Sequence, residues 1–299
     1  LMQYKSFDGV NLPVIGIGTY SGLWGENEAL PVDEERDAHL RKLLHRGIEL
    51  RATHIDNDEI YGAGHSERII GEVLRGIGPE RRRGVFISSK VAYENLAYDD
   101  VIAACDSSLE RLRLNYLDLY SVGRPNPDIP ISETMRALDD LVDFGKVRRI
   151  GIGNVNLRQL KEAQGSTRKG IFSVQLQYNL LRRDVNKYDP NGGPYSMMET
   201  EVLDYCQDND ILVIAHNPLA RESGLVEPGF DPLLDSLAKK YRVSTAQIAL
   251  AWLVSEPNVV TVMNTRSLSR LKENVRSAEL EMELIDLTAL DIFPGIIKP

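Results

Sequence analysis

The chain has few cysteines, no excess of positive charge and no long apolar run, and each absence excludes a class of protein. Its 299 residues include 35 lysines and arginines against 44 aspartates and glutamates, a formal net charge of −9. A net acidic chain does not suit sequence-independent binding of nucleic acid, which depends on neutralising phosphates. Cys105 and Cys206 lie far apart and in no motif, so we expect reduced core thiols of an intracellular protein.

Membrane insertion is not expected either. No apolar run in the sequence reaches the roughly 20 residues that span a bilayer, and the first residues, Leu1 to Lys5, do not resemble a signal peptide. We therefore expect a cytoplasmic protein that binds neither membranes nor nucleic acid. The sequence leaves the oligomeric state open between a monomer and a small homo-oligomer.

Short apolar segments and helical patterns alternate along the whole chain. A turn at Asp8-Gly9 predicts an N-terminal β-hairpin over residues 2–12. Eight segments suit buried parallel strands: Val14–Gly18, Thr53–Asp56, Val85–Lys90, Leu117–Val122, Val147–Gly153, Ser173–Leu176, Ile211–Ala215 and Val259–Met263. The helical patterns are Asp33–Leu44, Ser66–Leu74, Asp99–Leu112, Ile131–Phe144, Leu157–Ala163, Thr200–Gln207, Pro232–Tyr241, Thr245–Leu253 and Ser267–Val275.

Eight strand–helix units in about 260 residues predict an α/β protein with a (β/α)8 TIM barrel, as a single domain over residues 1–299. The alternative is an open doubly wound sheet, which would carry Gly-x-Gly-x-x-Gly after its first strand. Only Gly16 and Gly18 stand there, and no helix follows them directly. We therefore expect the barrel, with Arg182–Pro194 and Ala220–Phe230 as loops over its C-terminal face.

A carboxylate and a phenol stand five residues apart after the second barrel strand. Asp56 ends the strand and Tyr61 follows in the loop, at the strand end where barrel enzymes place their active sites. Ser66 begins the next helical pattern, and we expect its hydroxyl to cap that helix. Other strands supply polar residues at the same edge, namely Lys90, Asn154, Gln175 and His216.

Three motifs in this order resemble the aldo-keto reductase superfamily, over essentially the whole chain. The segment from Asp56 to Glu67 is similar to the family's Asp-Thr-Ala-x-x-Tyr-Gly-x-Gly-x-Ser-Glu. Gly145–Asn154 is similar to Gly-Lys-Val-Arg-x-Ile-Gly-x-Ser-Asn, and Arg270–Asn274 resembles the family's nucleotide-binding segment. The resemblance implies an enzyme that uses NADP(H), with NAD(H) not excluded, to reduce the carbonyl group of a small molecule.

The resemblance also implies three catalytic residues. Tyr61 would donate a proton to the carbonyl oxygen as hydride arrives at the carbon, which is general acid catalysis. A phenol is a weak acid at neutral pH, and the neighbouring ammonium of Lys90 would make it a stronger one. Asp56 would pair with Lys90 and keep it charged in a partly dry pocket.

Binding residues follow from the same resemblance. Asn154 and Gln175 would hold the nicotinamide carboxamide, and Arg270 would engage the 2′-phosphate, which a guanidinium fork fits well. The full set implied for the cofactor is Gly18, Thr19, Tyr20, Asp56, Asn154, Gln175, His216, Asn217, Leu219, Asn264, Thr265, Arg270, Glu273 and Asn274. The substrate pocket would be lined by Tyr20, Trp24, Tyr61 and Gly123. We expect no metal site, because the barrel geometry separates the histidines from the carboxylates.

Four positions depart from the family pattern. The family has a histidine three residues after the tyrosine of Asp-Leu-Tyr, and Gly123 stands at that position. Gly153 replaces the serine before Asn154, and His216 replaces the aromatic residue that stacks on the nicotinamide. Asn264 replaces the lysine of the phosphate clamp, which weakens the case for NADP(H) over NAD(H).

Three functions remain open from the sequence. The first is an NADP(H)-dependent reductase of aldehydes or ketones, with an altered fourth catalytic position and low activity on small aldehydes. The second is a nicotinamide-binding regulatory or interaction protein with little turnover, since potassium-channel β subunits look similar around Arg124–Pro127 and also lack the histidine. The third is a reductase of a conjugated C=C bond, because other family members in which this histidine is replaced reduce such bonds. The retained Asp56, Tyr61 and Lys90 favour an enzyme.

Overall fold

The computed structural model describes residues 2–20, 33–182, 200–220 and 223–293. Eight parallel strands in these residues close into a barrel, which confirms the predicted (β/α)8 fold. The barrel strands are β3 Ile15–Gly18, β4 His54–Asp56, β5 Phe86–Val91, β6 Leu119–Val122, β7 Ile150–Gly153, β8 Ser173–Gln177, β9 Leu212–His216 and β10 Val259–Met263. Neighbouring strands follow chain order, and β10 completes the ring by pairing with β3.

Most of the helices lie between consecutive barrel strands and bury apolar residues against the barrel. The helices are α1 Glu34–Glu49, α2 His65–Gly76, α3 Gly78–Arg82, α4 Tyr98–Leu112, α5 Ile131–Asp143, α6 Leu157–Ser166, α7 Thr200–Asp208, α8 Pro232–Tyr241, α9 Thr245–Ser255, α10 Leu268–Val275 and α11 Leu284–Asp291. In α5, for example, Met135, Leu138 and Leu141 are buried, and their spacing of three keeps them on one side of the helix. The sequence patterns predict all of these helices except α3 and α11.

An antiparallel hairpin of β1 Tyr4–Phe7 and β2 Val10–Pro13 closes the N-terminal end of the barrel. Leu12 is fully buried there in an apolar cluster with Phe86, Leu119, Leu212, Ile214, Val260 and Val262. The Lys5 ammonium fixes the hairpin, since it donates to the carbonyl oxygens of Val254 at 2.8 Å and Val259 at 2.6 Å. Burial lowers the pKa of Lys5 to about 8.

The seam between β3 and β10 joins the first and last strands of the barrel. Thr261 of β10 pairs with Ile15 of β3. Where the seam ends, the side chain of Asn264 lies so close to Gly18 that a Cβ at position 18 would overlap it. Gly18 also pairs with Asp56 in β4. The seam therefore places the residue after β10 close to the end of β4.

Cys105 and Cys206 are buried free cysteines, and burial raises the pKa of each thiol to about 12. Both therefore remain protonated thiols at neutral pH. Within the described ranges, no helix has the length and apolar character needed to cross a membrane.

Candidate active site

Residues predicted to be catalytic converge at the carboxyl ends of β4 and β5. Asp56 and Lys90 are both almost fully buried. The Lys90 Nζ donates to Asp56 Oδ2 at 2.9 Å and to the carbonyl oxygen of Asn57 at 2.7 Å. Gln175, from β8 on the far side of the barrel, donates its Nε2 to the same Asp56 oxygen at 3.0 Å. Asp56, Lys90 and Gln175 thus form one hydrogen-bonded group.

The charges of this group compensate one another. Burial acts to raise the pKa of Asp56, but the charge of Lys90 and hydrogen bonds from Lys90 and Gln175 lower it below the ordinary value. The carboxylate therefore stays ionised at neutral pH beside a buried ammonium. A lowered pKa means that this pair stabilises the fold above the ordinary aspartate pKa, and that the stabilisation is lost as the pH falls through the lowered value.

Two histidines near the group are neutral at pH 7. His54 lies one layer deeper on β4, with its Nε2 3.0 Å from Ser88 Oγ, which donates to Asp56 Oδ1 at 2.8 Å. Burial lowers the pKa of His54 to about 4. Burial and then the charge of Lys90 lower the pKa of His216 to about 4. His216 ends β9 at the barrel edge that carries Asp56, so an uncharged imidazole stands where the sequence predicts a stacking residue.

Tyr61 lies on the loop after β4, and its ring packs against Tyr20. The two ring centroids are 5.2 Å apart, and the rings are inclined by 46°. Two buried hydrogen bonds anchor the start of this loop, since Thr19 Oγ1 and Ser66 Oγ both donate to Asn57 Oδ1, at 2.6 Å and 2.7 Å. Tyr61 is therefore carried on a loop that is anchored next to the Asp56 group.

The prediction that Ser66 caps α2 is wrong. The helix begins at His65, and its N-cap is Gly64, which has a left-handed φ of 82° and makes no side-chain cap bond. Ser66 is fully buried, and its hydroxyl donates to Asn57 instead of accepting from the helix. The buried loop offers this hydroxyl a nearby acceptor, and that acceptor decides its orientation.

Gly123, at the position of the family's histidine, directly follows β6. It is not among the residues with positive φ, so the backbone does not require glycine here. A Cβ at this position would lie 3.3 Å from the carbonyl oxygen of Val91 and 3.8 Å from Asp58 Oδ2. A side chain at position 123 therefore requires the Val91 carbonyl to move by a few tenths of an ångström, and its Cβ would lie beside the carboxyl of Asp58.

Asp58 is the residue of this site that sequence reasoning misses. It is 8% exposed, and its Oδ1 accepts from the backbone N–H of Ile60 at 3.2 Å. Burial raises the pKa of this carboxyl to about 7. A signal was present in the sequence, since the family motif has an alanine where Asp58 stands, but the motif alone does not show that Asp58 is near Gly123.

Gly153 ends β7 at the same edge, and Asn154 follows it. A Cβ on Gly153 would come within 2.8 Å of the carbonyl oxygen of Gly123, so this backbone leaves no room for the serine of the family pattern. Asn154 has a φ of 54°, which asparagine tolerates better than most residues, and its Nδ2 donates to the Gly123 carbonyl at 2.8 Å. Its Oδ1 is buried without a hydrogen-bond partner among the described residues. Such an oxygen suits a ligand N–H, for example that of a carboxamide.

The predicted nucleotide segment forms the start of α10, which follows β10 at this barrel edge. Ser267 is the N-cap, and its Oγ accepts from the backbone N–H of Arg270 at 3.3 Å. Helix N-termini favour anions, because unpaired N–H groups and the helix dipole point at them. The side chains of Arg270 and Asn264 are exposed, whereas Glu273 is half-buried and Asn274 is buried. The segment can thus receive a phosphate, although Arg270 is not part of the Asp56 group.

The remaining predicted residues fall into two sets. Thr265, Asn217 and Leu219 are half-buried in segments that follow β10 and β9. Trp24 lies outside the described residues, as does the loop Arg182–Pro194 apart from Arg182 itself.

The chain is similar to known proteins over almost its whole length. The model of the Aldo/keto reductase family matches residues 14–293. Methylglyoxal reductase YeaE of Escherichia coli strain K12 is 31% identical over 300 residues, which cover 97% of this chain and 95% of that protein. A thermostable aldo-keto reductase, Tm1743, solved with the inhibitor epalrestat, has a TM-score of 0.86 at 32% identity and covers 98% of this chain and 100% of its own. An aldo-keto reductase from Klebsiella pneumoniae, solved with NADPH, has a TM-score of 0.81 at 27% identity, and the match covers 100% of this chain and 97% of that one.

Proposed function

Since the chain belongs to the aldo/keto reductase family, we propose that it is an NADP(H)-dependent oxidoreductase that reduces an aldehyde or ketone to an alcohol. The observation that carries this proposal is the buried ion pair of Asp56 and Lys90, since Lys90 also donates to the carbonyl oxygen of Asn57 in the loop that carries Tyr61. A phenol near a buried ammonium is suited to donate a proton to a carbonyl oxygen. The methylglyoxal-reducing relative and the NADPH-bound neighbour support the substrate class and the cofactor.

Each residue of the site has a separate task in this proposal. Tyr61 donates the proton that ends on the product hydroxyl. Lys90 favours the phenolate that Tyr61 becomes, and Asp56 holds Lys90 in place with help from Gln175. A bound nicotinamide supplies the hydride, which no side chain provides.

The residues that would hold the cofactor fit it chemically. The buried Oδ1 of Asn154 can accept from the carboxamide N–H, and the backbone N–H of Asn154 donates to the carbonyl oxygen of Gln175 on β8 at 3.0 Å. Arg270 in the first turn of α10 would engage the 2′-phosphate, where the helix N-terminus adds a favourable field. Glu273 and Asn274 would hold the adenosine.

Arg270→Ala should weaken NADPH binding by about 1–3 kcal/mol, the range for losing one charge-assisted contact. Calorimetric titration of the free protein with NADPH measures the change. The matched control is Lys272→Ala, which removes the same charge from the same helix. Lys272 is exposed and lies about 200° around the helix from Arg270, so its loss should leave the affinity unchanged. Equal affinities of wild type and Arg270→Ala would remove Arg270 from the phosphate site.

Cofactor choice gives a second test. Asn264 offers no charge to a 2′-phosphate, so Arg270 carries most of the discrimination and the preference for NADPH over NADH should be modest. Asn264→Lys should widen the ratio of the two dissociation constants by about tenfold, for one added charge contact. Asn264→Gln adds length without charge and serves as the control. A wild type that binds NADH more tightly than NADPH would contradict the NADP(H) assignment.

The activity itself is tested by NADPH consumption against a panel of aldehydes, ketones and enones. A carbonyl reductase consumes NADPH with the aldehydes or ketones. The second candidate function, reduction of a conjugated C=C bond, is favoured by the glycine at position 123. Such a reductase consumes NADPH only with the enones. A regulatory protein binds NADPH and consumes little of it with any member of the panel.

A further inference from the structure

Two departures from the family pattern lie next to each other in the folded chain. Gly123 stands in place of a histidine, and Asp58 stands in place of an alanine. The adjacency of β4, β5 and β6 brings them together, since Asp58 follows β4 and Gly123 follows β6. Asp58 Oδ2 would be 3.8 Å from a Cβ at position 123. The chain therefore lacks an imidazole at this point of the pocket and has an additional carboxyl beside it.

The orientation of Asp58 is fixed by its other oxygen. Oδ1 accepts from the Ile60 N–H, which turns Oδ2 towards Gly123. The side chain is almost fully buried, so its carboxyl is not simply a solvated surface group. A buried carboxyl needs partners when it is charged, and a site that develops negative charge would be a poor place for a permanent carboxylate.

Burial favours the protonated form of Asp58 up to about neutral pH. Burial raises the pKa of Asp58 to about 7, and the nearby carboxylates of Glu59 and Asp56 add to this, while Lys90 and a backbone N–H act in the opposite direction. The charge of Asp58 also acts on Tyr120 of β6, but burial raises the pKa of Tyr120 well above the ordinary value, so Tyr120 stays neutral. A protonated carboxyl can donate a hydrogen bond, and a carboxylate can only accept one.

We propose that Asp58, in its protonated form, supplies the second hydrogen bond to the carbonyl oxygen of the substrate, in place of the family's histidine. This inference rests on the proposed function. Asp58 keeps its proton and stabilises the negative charge that develops on the oxygen, whereas Tyr61 gives up the proton that is transferred. A Cβ at Gly123 would meet only the Val91 carbonyl oxygen and Asp58 Oδ2 within 4 Å among the described residues beyond its chain neighbours. Because Gly123 carries no side chain, the substrate's carbonyl oxygen, or a water bound to it, can approach Asp58 Oδ2 from this side.

The proposal makes the rate depend on pH in a defined direction. When Asp58 ionises, the site loses a donor and gains a negative charge that opposes the developing oxyanion. We therefore expect kcat/KM for carbonyl reduction to be highest below pH 7 and to fall as the pH rises through about 7, the pKa of Asp58.

Asp58→Asn is the matched variant, because asparagine keeps the shape, an acceptor for the Ile60 N–H and an N–H donor, but cannot ionise. It should keep most of the wild-type kcat/KM at pH 6 and lose the fall above pH 7. Asp58→Ala removes the donor altogether, and kcat/KM at pH 6 should drop by about 10²–10³, the usual effect of one lost oxyanion donor. Titration with NADPH should give the wild-type dissociation constant for both variants.

A rescue experiment separates this role from a structural one. Asp58→Ala combined with Gly123→His restores the pair found in the family motif, with a small shift at the carbonyl of Val91. The double variant should recover much of the activity that Asp58→Ala loses, because the imidazole provides the second donor. A side chain at position 123 could not repair a loop that merely needed the bond from Asp58 to Ile60.

The protonation of Asp58 can be measured without turnover. A carboxyl whose pKa is raised in the folded state stabilises the fold fully below its unfolded pKa, and this contribution is lost as the pH rises through the folded pKa. The free energy of unfolding of the wild type, minus that of Asp58→Asn, should therefore fall between about pH 4 and pH 7. A difference that stays constant with pH would mean that the pKa of Asp58 is not raised, and the proposal would be overturned.

The two activity outcomes distinguish this inference from the proposed function. An active wild type with the same pH profile as Asp58→Asn would overturn the role of Asp58 and leave carbonyl reduction standing. A wild type that binds NADPH but reduces no carbonyl compound in the panel would overturn the proposed function, and the role of Asp58 with it.

Discussion

Tyr61→Phe should lower turnover of an aldehyde or ketone by about 10²–10⁴, the usual contribution of a positioned general acid. The variant removes one hydroxyl and keeps the ring that packs against Tyr20, so NADPH binding should not change. Steady-state kcat with the best substrate of the panel and the dissociation constant of NADPH are the two measurements.

The control for this experiment is Tyr116→Phe. Tyr116 lies before β6, at the other end of the barrel, where Arg148 stacks on its ring, and loss of its hydroxyl should leave kcat unchanged. Undiminished reduction by Tyr61→Phe would show that the transferred proton comes from another group. Asp58 would then be the first residue to examine as the acid.

Loss of the Lys90 ammonium should affect stability and turnover together. Lys90→Met leaves Asp56 buried and ionised without its counter-charge, and breaking a buried ion pair in this way costs about 3–5 kcal/mol. Turnover should also fall, because the phenol of Tyr61 loses the positive charge that favours its ionised form. Denaturant unfolding at pH 7 and NADPH consumption at a temperature where the variant is folded measure the two effects.

A double variant separates the two roles of Lys90. Lys90→Met combined with Asp56→Asn removes both charges, and the amide oxygen introduced by the second substitution can still accept a hydrogen bond from Ser88 or Gln175. The free energy of unfolding should recover in large part, whereas the rate should not. If the rate recovered together with the stability, Lys90 would act on catalysis only through the fold.

The barrel is predictable from the sequence because its strands are buried on both faces. Such strands appear as short continuous apolar runs, and the predicted run Val259–Met263 has the bounds of β10 itself. The hairpin is predictable from the turn at Asp8-Gly9. In contrast, α3 and α11 carry no pattern long enough to be recognised, since α3 has only five residues and α11 exposes Leu284 and Ile285.

Residues of the candidate site are predictable where a single family motif at the end of a strand contains them. They are not predictable where the site depends on the distance between two separate loops. Strand positions and the family motifs predict that Asp56, Lys90 and Gln175 belong to one site, and in the structure Lys90 and Gln175 both donate to Asp56. The role of Tyr61 stays a prediction. The neighbourhood of Asp58 and Gly123 depends on the distance between two loops, for which the sequence contains no measure.

The seam between β3 and β10 also has a consequence for how the chain is made. The catalytic loop leaves the ribosome early, but β3 and β9 each have an unpaired edge until β10, the last strand of the barrel, has been synthesised. A fragment that stops before residue 259 therefore lacks Asn264 and Arg270 and presents two strand edges that can pair with other chains. Retention on a nucleotide affinity resin should thus select finished chains, while truncated products pass through or aggregate.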